Sequence, residues 1–273
     1  MAQQQRVNVG AVDLPTQHLF GLDFVADATI DDVVGALIDA GDDRRPAWRC
    51  VVTPNVDHLV RYARHPAERE TAEHSWMVLP DGMPIVWASK LLRRPLRERL
   101  TGADLFAALW PRLRDAGTPT VVVASSDVVA DRLRTEHLAA IVPPMFDVDD
   151  EPAVSTLLDQ VDRTVQEVGA RFLVVGVSMP KHHLIARRLE ERWRGREGPT
   201  PIVLLLGASP DFALGLTARA PRWMRRSGLE WLHRLLVDPR RMAKRYLVDD
   251  PYFAVLLWRE WRAARRAGRT EGR

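Results

Sequence analysis

The chain has 273 residues, 46% hydrophobic and 27% charged, with a formal net charge of only +3, so it can bury a substantial core as one large or two small domains. Its single cysteine, Cys50, excludes an internal disulfide and a thiolate metal site of its own, which fits a reducing compartment. Aliphatic runs such as residues 201–206 fall far short of the roughly 20 residues of a membrane span, and the N-terminal stretch lacks the apolar core and cleavage site of a signal peptide, so a non-integral protein is expected.

Over the first 210 or so residues, short β-branched runs alternate with longer amphipathic stretches, the pattern of an α/β domain with a largely parallel sheet. A helix is predicted over 29–40, then a strand over 49–53 and a helix over 56–65. A strand over 76–79 precedes a helix over 84–92. The next helix, 103–116, starts behind Thr101-Gly102. A strand over 120–124 leads to a helix over 127–138, for which Ser126 and Asp127 offer an N-cap. Strands over 141–146, 171–175 and 202–206 and helices over 152–168 and 180–194 complete the pattern. Pro180 suits a first helical turn.

In an open parallel sheet, ligands bind beyond the carboxyl ends of the strands, which directs attention to the residues just after each one. Thr53-Pro54-Asn55 follows the strand ending near Val52, and Pro80-Asp81-Gly82 follows the next. Asn55 can be a plain helix N-cap and Asp81-Gly82 a plain tight turn. Equally, an ionised Asp81 within reach of an acceptor hydroxyl can take its proton as that oxygen attacks an anomeric carbon. A second pair of strand ends, with Gly176, Pro180 and Lys181 on one and Gly207 and Asp211 on the other, suits a nucleotide diphosphate. There, glycine permits close backbone approach, a helix N-terminus directs N–H groups at the ligand, and Lys181 adds charge.

Neither segment has the dinucleotide fingerprint or P-loop spacing, which weighs against a nicotinamide oxidoreductase, and the absence of a G-x-S-x-G elbow weighs against a hydrolase. No metal site is expected. His182 and His183 are adjacent and point to different faces of a helix, and Asp147-Val148-Asp149-Asp150 reads as the acidic start of a helix.

From Pro221 onward the pattern becomes consecutive helices without strands, including segments 228–237 and 240–247. Residues 217–273 carry 15 basic and 6 acidic side chains, a net of +9, leaving −6 for residues 1–216. Four of nine tryptophans, Trp223, Trp231, Trp258 and Trp261, lie there as well. Arg234, Arg241, Lys244 and Arg245 surround an apolar face formed by Trp231, Leu235 and Leu236. Tryptophan beside arginine is an interfacial composition, favouring an anionic membrane surface over nucleic acid, for which no motif is visible. The expected organisation is a core over 1–216, a helical membrane-associating appendage over 217–262 and a low-complexity, disordered tail over 263–273.

These residues resemble the WecG/TagA/CpsF glycosyltransferases of bacterial surface-polysaccharide assembly. The likeness is carried by Thr53-Pro54-Asn55, Pro80-Asp81-Gly82, Arg99-Leu100-Thr101-Gly102-Ala103-Asp104-Leu105, Gly176 with Pro180-Lys181, and Asp211-Phe212 with Gly215. A long run from Arg219-Ala220-Pro221-Arg222-Trp223 through Gly228-Leu229-Glu230-Trp231 to Arg245-Tyr246-Leu247 completes it.

The resemblance implies a Rossmann-like sheet with a basic helical appendage. It also implies an inverting, metal-independent transfer without a cofactor, from a UDP-sugar of the N-acetylmannosamine kind to a polyprenyl-pyrophosphate-linked acceptor, in surface-polysaccharide or teichoic acid synthesis. It suggests Asp81 as base, Thr53 and Asn55 as substrate contacts, and Arg99 beside the donor phosphates. Arg234, Arg241, Lys244 and Arg245 would complete the site from a membrane-lying appendage on the cytoplasmic face. Where the family usually has Gln-Glu this chain has His182-His183, with Met83, Pro84 and Pro210 as further departures. These positions border the nucleotide and acceptor pockets, so His182 is counted among the substrate-binding candidates. A non-catalytic nucleotide-sugar or lipid-binding module is the alternative these departures motivate, and a homo-oligomer is left open.

Overall fold

The computed structural model describes residues 6–9, 12–43, 47–217, 220–221, 223–224, 229–239 and 250–270. Its strands are β1 (Arg6–Val9), β2 (Val12–Leu19), β3 (Leu22–Val25), β4 (Cys50–Val52), β5 (Met77–Val78), β6 (Thr120–Val123), β7 (Leu138–Ile141), β8 (Phe172–Val175) and β9 (Ile202–Leu205). They join in one sheet in the order β1-β2-β3-β5-β4-β9-β8-β6-β7. From β3 to β7 every pairing is parallel, and only β1, β2 and β3 run antiparallel to one another. The α/β, largely parallel architecture expected from the sequence is therefore the one found.

The helices are α1 (Ile30–Asp42), α2 (Val56–Tyr62), α3 (Pro66–Glu73), α4 (Met83–Leu91), α5 (Gly102–Asp115), α6 (Asp127–Leu133), α7 (Glu151–Val168), α8 (Lys181–Trp193), α9 (Ser209–Ala213), α10 (Glu230–Val237) and α11 (Tyr252–Thr270). Local chemistry sets their ends. Thr29 and Asp32 form a reciprocal capping box at α1, Thr101 accepts from the Asp104 N–H at α5, and Gly169 closes α7 in the left-handed region at φ 62°.

Alternate residues of each central strand serve opposite layers. Cys50, Val52, Val121, Val123, Leu173, Val175, Val203 and Leu205 face one core with α2, α7 and α8. Val51, Val122, Phe172, Val174, Ile202 and Leu204 face the other with α1, α5 and α6. Burial on both faces is why these strands read as continuous aliphatic runs rather than alternating ones.

Two departures from the sequence reading have physical causes. The antiparallel ribbon β1–β3 was not foreseen. Its β2–β3 turn places Phe20 at φ 56° and Gly21 at φ 79°, and phenylalanine in the left-handed region is not a turn signal. Its ring instead packs against Phe253, 5.3 Å away between centroids, a contact from the far end of the chain. The strand predicted over 141–146 is Leu138–Ile141, and the helix before it stops at Leu133. Pro143 and Pro144 have no N–H for a ladder, so pairing ends before them. The last helix is Tyr252–Thr270.

Part of the C-terminal region folds back on the core. Phe253, Leu256, Leu257 and Trp261 of α11 pack against the first core, Glu260 pairs with Arg94 at 3.3 Å, and the Arg64 guanidinium lies 5.2 Å from the Tyr252 ring centre. The opposite face of α11 leaves Val255 and Trp258 exposed. Phe253→Ala is therefore expected to cost about 2 kcal/mol in urea unfolding, less than a fully buried phenylalanine costs. Trp258→Ala should stay within about 0.5 kcal/mol of the parent.

Candidate active site

Four adjacent strands, β5, β4, β9 and β8, end at one cavity of about 420 Å³, within the usual size range of small-molecule sites. The loops after β4 and β5 are stitched together by main-chain bonds. The Leu79 N–H donates to the Val52 carbonyl (2.9 Å), the Asp81 N–H to Pro54 (3.0 Å) and the Leu100 N–H to Pro80 (2.9 Å). These bonds bring Thr53, Asn55 and Asp81 into one wall. The N-terminus of α5 closes that wall, where the Gly102 N–H approaches Asp81 Oδ2 at 3.4 Å. A Cβ on Gly102 would lie 2.7 Å from Ser209 Oγ and 3.0 Å from Thr53 Oγ1, so glycine is what lets three chain segments meet here. Gly82, at φ 143°, adopts a backbone that only glycine takes readily and so re-aims the chain after Asp81.

Of the candidates read from sequence, Thr53, Asn55, Asp81, His182 and Gly207 line this cavity. Asn55 is also the N-cap of α2, accepting from the His58 N–H at 3.2 Å, so one residue both caps a helix and borders the cavity. Arg99, Gly176, Pro180, Lys181 and Asp211 are not among its lining residues. Arg99 donates to Glu230 at 2.8 Å and lies 4.0 Å from Asp104. Lys181 sets its ammonium 4.4 Å from the Phe146 ring centre and 3.9 Å from Met145 Sδ. Pro180 caps α8 without a side-chain bond. Asp211 accepts from Ser125 Oγ at 3.0 and 3.1 Å, tying the end of β6 to α9. Gly176 answers a packing need, since a Cβ there would lie 2.9 Å from the Val123 carbonyl oxygen. Arg234 lies on α10, while Arg241, Lys244 and Arg245 fall outside the described residues.

Sequence reasoning missed Asp57, His58, Thr101, Ser178, Ser209, Glu230, His233 and Asp238, all on the lining. Ser178 and Ser209 follow strand ends and were open to the same rule that selected their neighbours. Glu230, His233 and Asp238 come from α10 and its end, and nothing local in the sequence brings that helix over the sheet.

A cluster of neutral rings supports the β8 side. His182 Nδ1 donates to the Val177 carbonyl at 2.9 Å, and burial pushes the ring's pKa down from 6.5 to about 4. His183 Nε2 shares a hydrogen bond of 2.8 Å with the Tyr62 hydroxyl, and its pKa falls well below 6.5, first through burial and then because a proton there would be repelled by any proton on His182 or His58 and by Arg61. Burial raises the Tyr62 hydroxyl well above 10. It also lifts the Cys50 thiol to about 12, which removes Cys50 as a thiolate nucleophile near neutral pH. Among the described residues, no group of three or more His, Cys, Asp or Glu could hold a metal ion.

A doubly layered α/β sheet with a polar cavity across its strand ends is the setting of enzymes that bind nucleotides and their conjugates. Residues 17–267 match the glycosyl transferase WecG/TagA/CpsF family, and the chain belongs to that family. It is accordingly a glycosyltransferase, with a nucleotide-sugar donor and a lipid-linked acceptor at the level the family defines.

The buried imidazoles give this fold an acid sensitivity of known sign. Between pH 6.5 and about 4, the unfolded chain takes up protons that the native rings refuse, so stability is full above pH 6.5 and declines as the pH falls below it. Urea unfolding at pH 7.5, 6.5 and 5.5 should show an unfolding free energy that falls mainly in the last interval, by roughly 1 kcal/mol for each such histidine.

Proposed function

We propose that this chain transfers a sugar of the N-acetylmannosamine kind from a UDP donor to a polyprenyl-pyrophosphate-linked acceptor, by an inverting and metal-independent displacement. The observation that carries this reading is the convergence of Asp81, Thr53 and Asn55 with the loops after β8 and β9 on a single cavity, in a chain of this family. Asp81 takes the proton of the acceptor hydroxyl as its oxygen attacks the anomeric carbon and UDP departs. The Ser178–Met179 and Gly207–Ser209 segments hold the nucleotide, with the N-terminus of α8 behind them.

The growing charge on the departing diphosphate needs fixed cations and backbone N–H groups. Arg99 reaches it in this reading by exchanging Glu230 for the diphosphate, a more highly charged partner. Lys181, turned toward Phe146, contributes less than its sequence position suggests. Arg234, Arg241, Lys244 and Arg245 are the appendage cations that would complete the phosphate environment.

The same reading puts the enzyme on the inner face of the cell membrane. Support comes from the net +9 of residues 217–273 and from Trp223, Trp231, Leu236, Val237 and Trp258, all exposed. Arg262 stacks 4.6 Å from the Trp258 ring centre. No helix among the described residues is long and apolar enough to cross a membrane, and each well-placed basic side chain adds about 1 kcal/mol of attraction to an anionic surface.

A panel of UDP-sugars offered with a polyprenyl-pyrophosphate-linked acceptor tests the reaction. Asp81→Asn should reduce kcat by about 10²- to 10⁴-fold, and full retention of turnover would remove Asp81 as base. Independently, the protein should co-sediment with vesicles containing anionic lipid and dissociate as salt rises. Failure to bind at low salt would sink the membrane assignment.

A further inference from the structure

One polar atom in the cavity wall has no task in the mechanism above. His182 is only 3% exposed and lines the cavity. Its Nδ1 lies 2.9 Å from the Val177 carbonyl oxygen. A carbonyl only accepts, so the single proton of the neutral ring sits on Nδ1, and Nε2 presents a lone pair. The ring is held against the Gly207 backbone, with a Gly207 Cβ position 3.9 Å from Nδ1, and against the rings of His183 at 4.6 Å and His58 at 6.0 Å. Nε2 has no hydrogen-bond partner among the described residues, and it is not one of the unpartnered side-chain atoms sealed from solvent. Its access to solvent is through the cavity the ring borders.

We propose that His182 determines donor specificity: its Nε2 accepts one hydrogen bond from an O–H or N–H of the bound nucleotide sugar, either a hydroxyl or amide of the sugar or the imide N–H of the base. The assignment rests on reading this cavity as the donor site. A neutral acceptor on a fixed ring rewards a ligand that presents a donor there, and it rejects one that presents a carboxylate, carbonyl or phosphate oxygen. Burial, which holds the ring neutral well below pH 7, keeps that preference in force across the physiological range.

Calorimetric titration of the full chain with UDP, UMP, UDP-glucose and UDP-N-acetylmannosamine provides the test, with wild type compared with His182→Leu, which removes the acceptor, and His182→Gln, which keeps one. His182→Leu should weaken the bound nucleotide sugar by roughly 10- to 100-fold, the loss expected for one buried hydrogen bond, and His182→Gln should recover most of it. Equal weakening of UDP and the UDP-sugars assigns the contact to the nucleotide. Weakening of the UDP-sugars alone assigns it to the sugar.

Unchanged affinities in a folded His182→Leu, or equal losses in both variants, overturn the proposal. Should His182→Leu fail to fold, the wild-type protein is titrated with N3-methylated UDP and with UDP-sugars lacking single hydroxyl or N-acetyl groups. One of these must lose about 10-fold or more, and if none does the proposal fails. Absence of binding by wild type to every nucleotide overturns the donor-site reading itself, and the His182 assignment with it.

Discussion

The site depends on a steric constraint at Gly102. Thr53 from the end of β4, Ser209 from the end of β9 and the first turn of α5 converge where a single methyl group would meet oxygen at 2.7 and 3.0 Å. Because nothing projects from Gly102, the α5 N-terminus can sit against both strand ends and offer an N–H to Asp81. The main-chain bonds from Asp81 to Pro54 and from Leu100 to Pro80 then fix the candidate base relative to Thr53 and Asn55 without using any of their side chains. Backbone bonds and a glycine contact therefore set the spacing of this cavity wall.

Electrostatically, the two sides of the cavity differ. Toward β4, β5 and α10, carboxylates gather: Asp57, Asp81, Glu230 and Asp238 all belong to the lining, and Glu230 engages Arg99 behind it. Toward β8 lies a nest of uncharged rings, His182, His183 and Tyr62, with burial as the leading cause of every shift. The proposed proton transfer falls on the first side, where an ionisable carboxylate can accept one. Recognition by fixed, neutral hydrogen bonds belongs with the second, where charging a ring is costly.

The C-terminal region has two roles in this architecture. Helix α11 lays Phe253, Leu256, Leu257 and Trp261 on the core and keeps its tryptophan and arginine face outward, while α10 contributes Glu230, His233 and Val237 to the cavity. One segment thus borders the cavity and also presents exposed tryptophan.

The sequence by itself determined the parallel α/β class, because strands buried on both faces must be aliphatic throughout and helices between them must show one apolar stripe. It also picked out Thr53, Asn55, Asp81 and Gly207, since strand-end position can be read from order along the chain. Other features were decided only by the tertiary structure. Phe20 takes a left-handed turn because Phe253 packs on its ring. Gly176 has no room for a side chain because the Val123 carbonyl lies against it. Arg99 faces Glu230 of α10, and Lys181 faces Phe146 in the loop after β7, because segments outside their own set their surroundings. Residue type and spacing record what a local segment can do, whereas the partner each side chain meets depends on contacts outside that segment, such as the bond between Arg99 and Glu230, 131 positions apart.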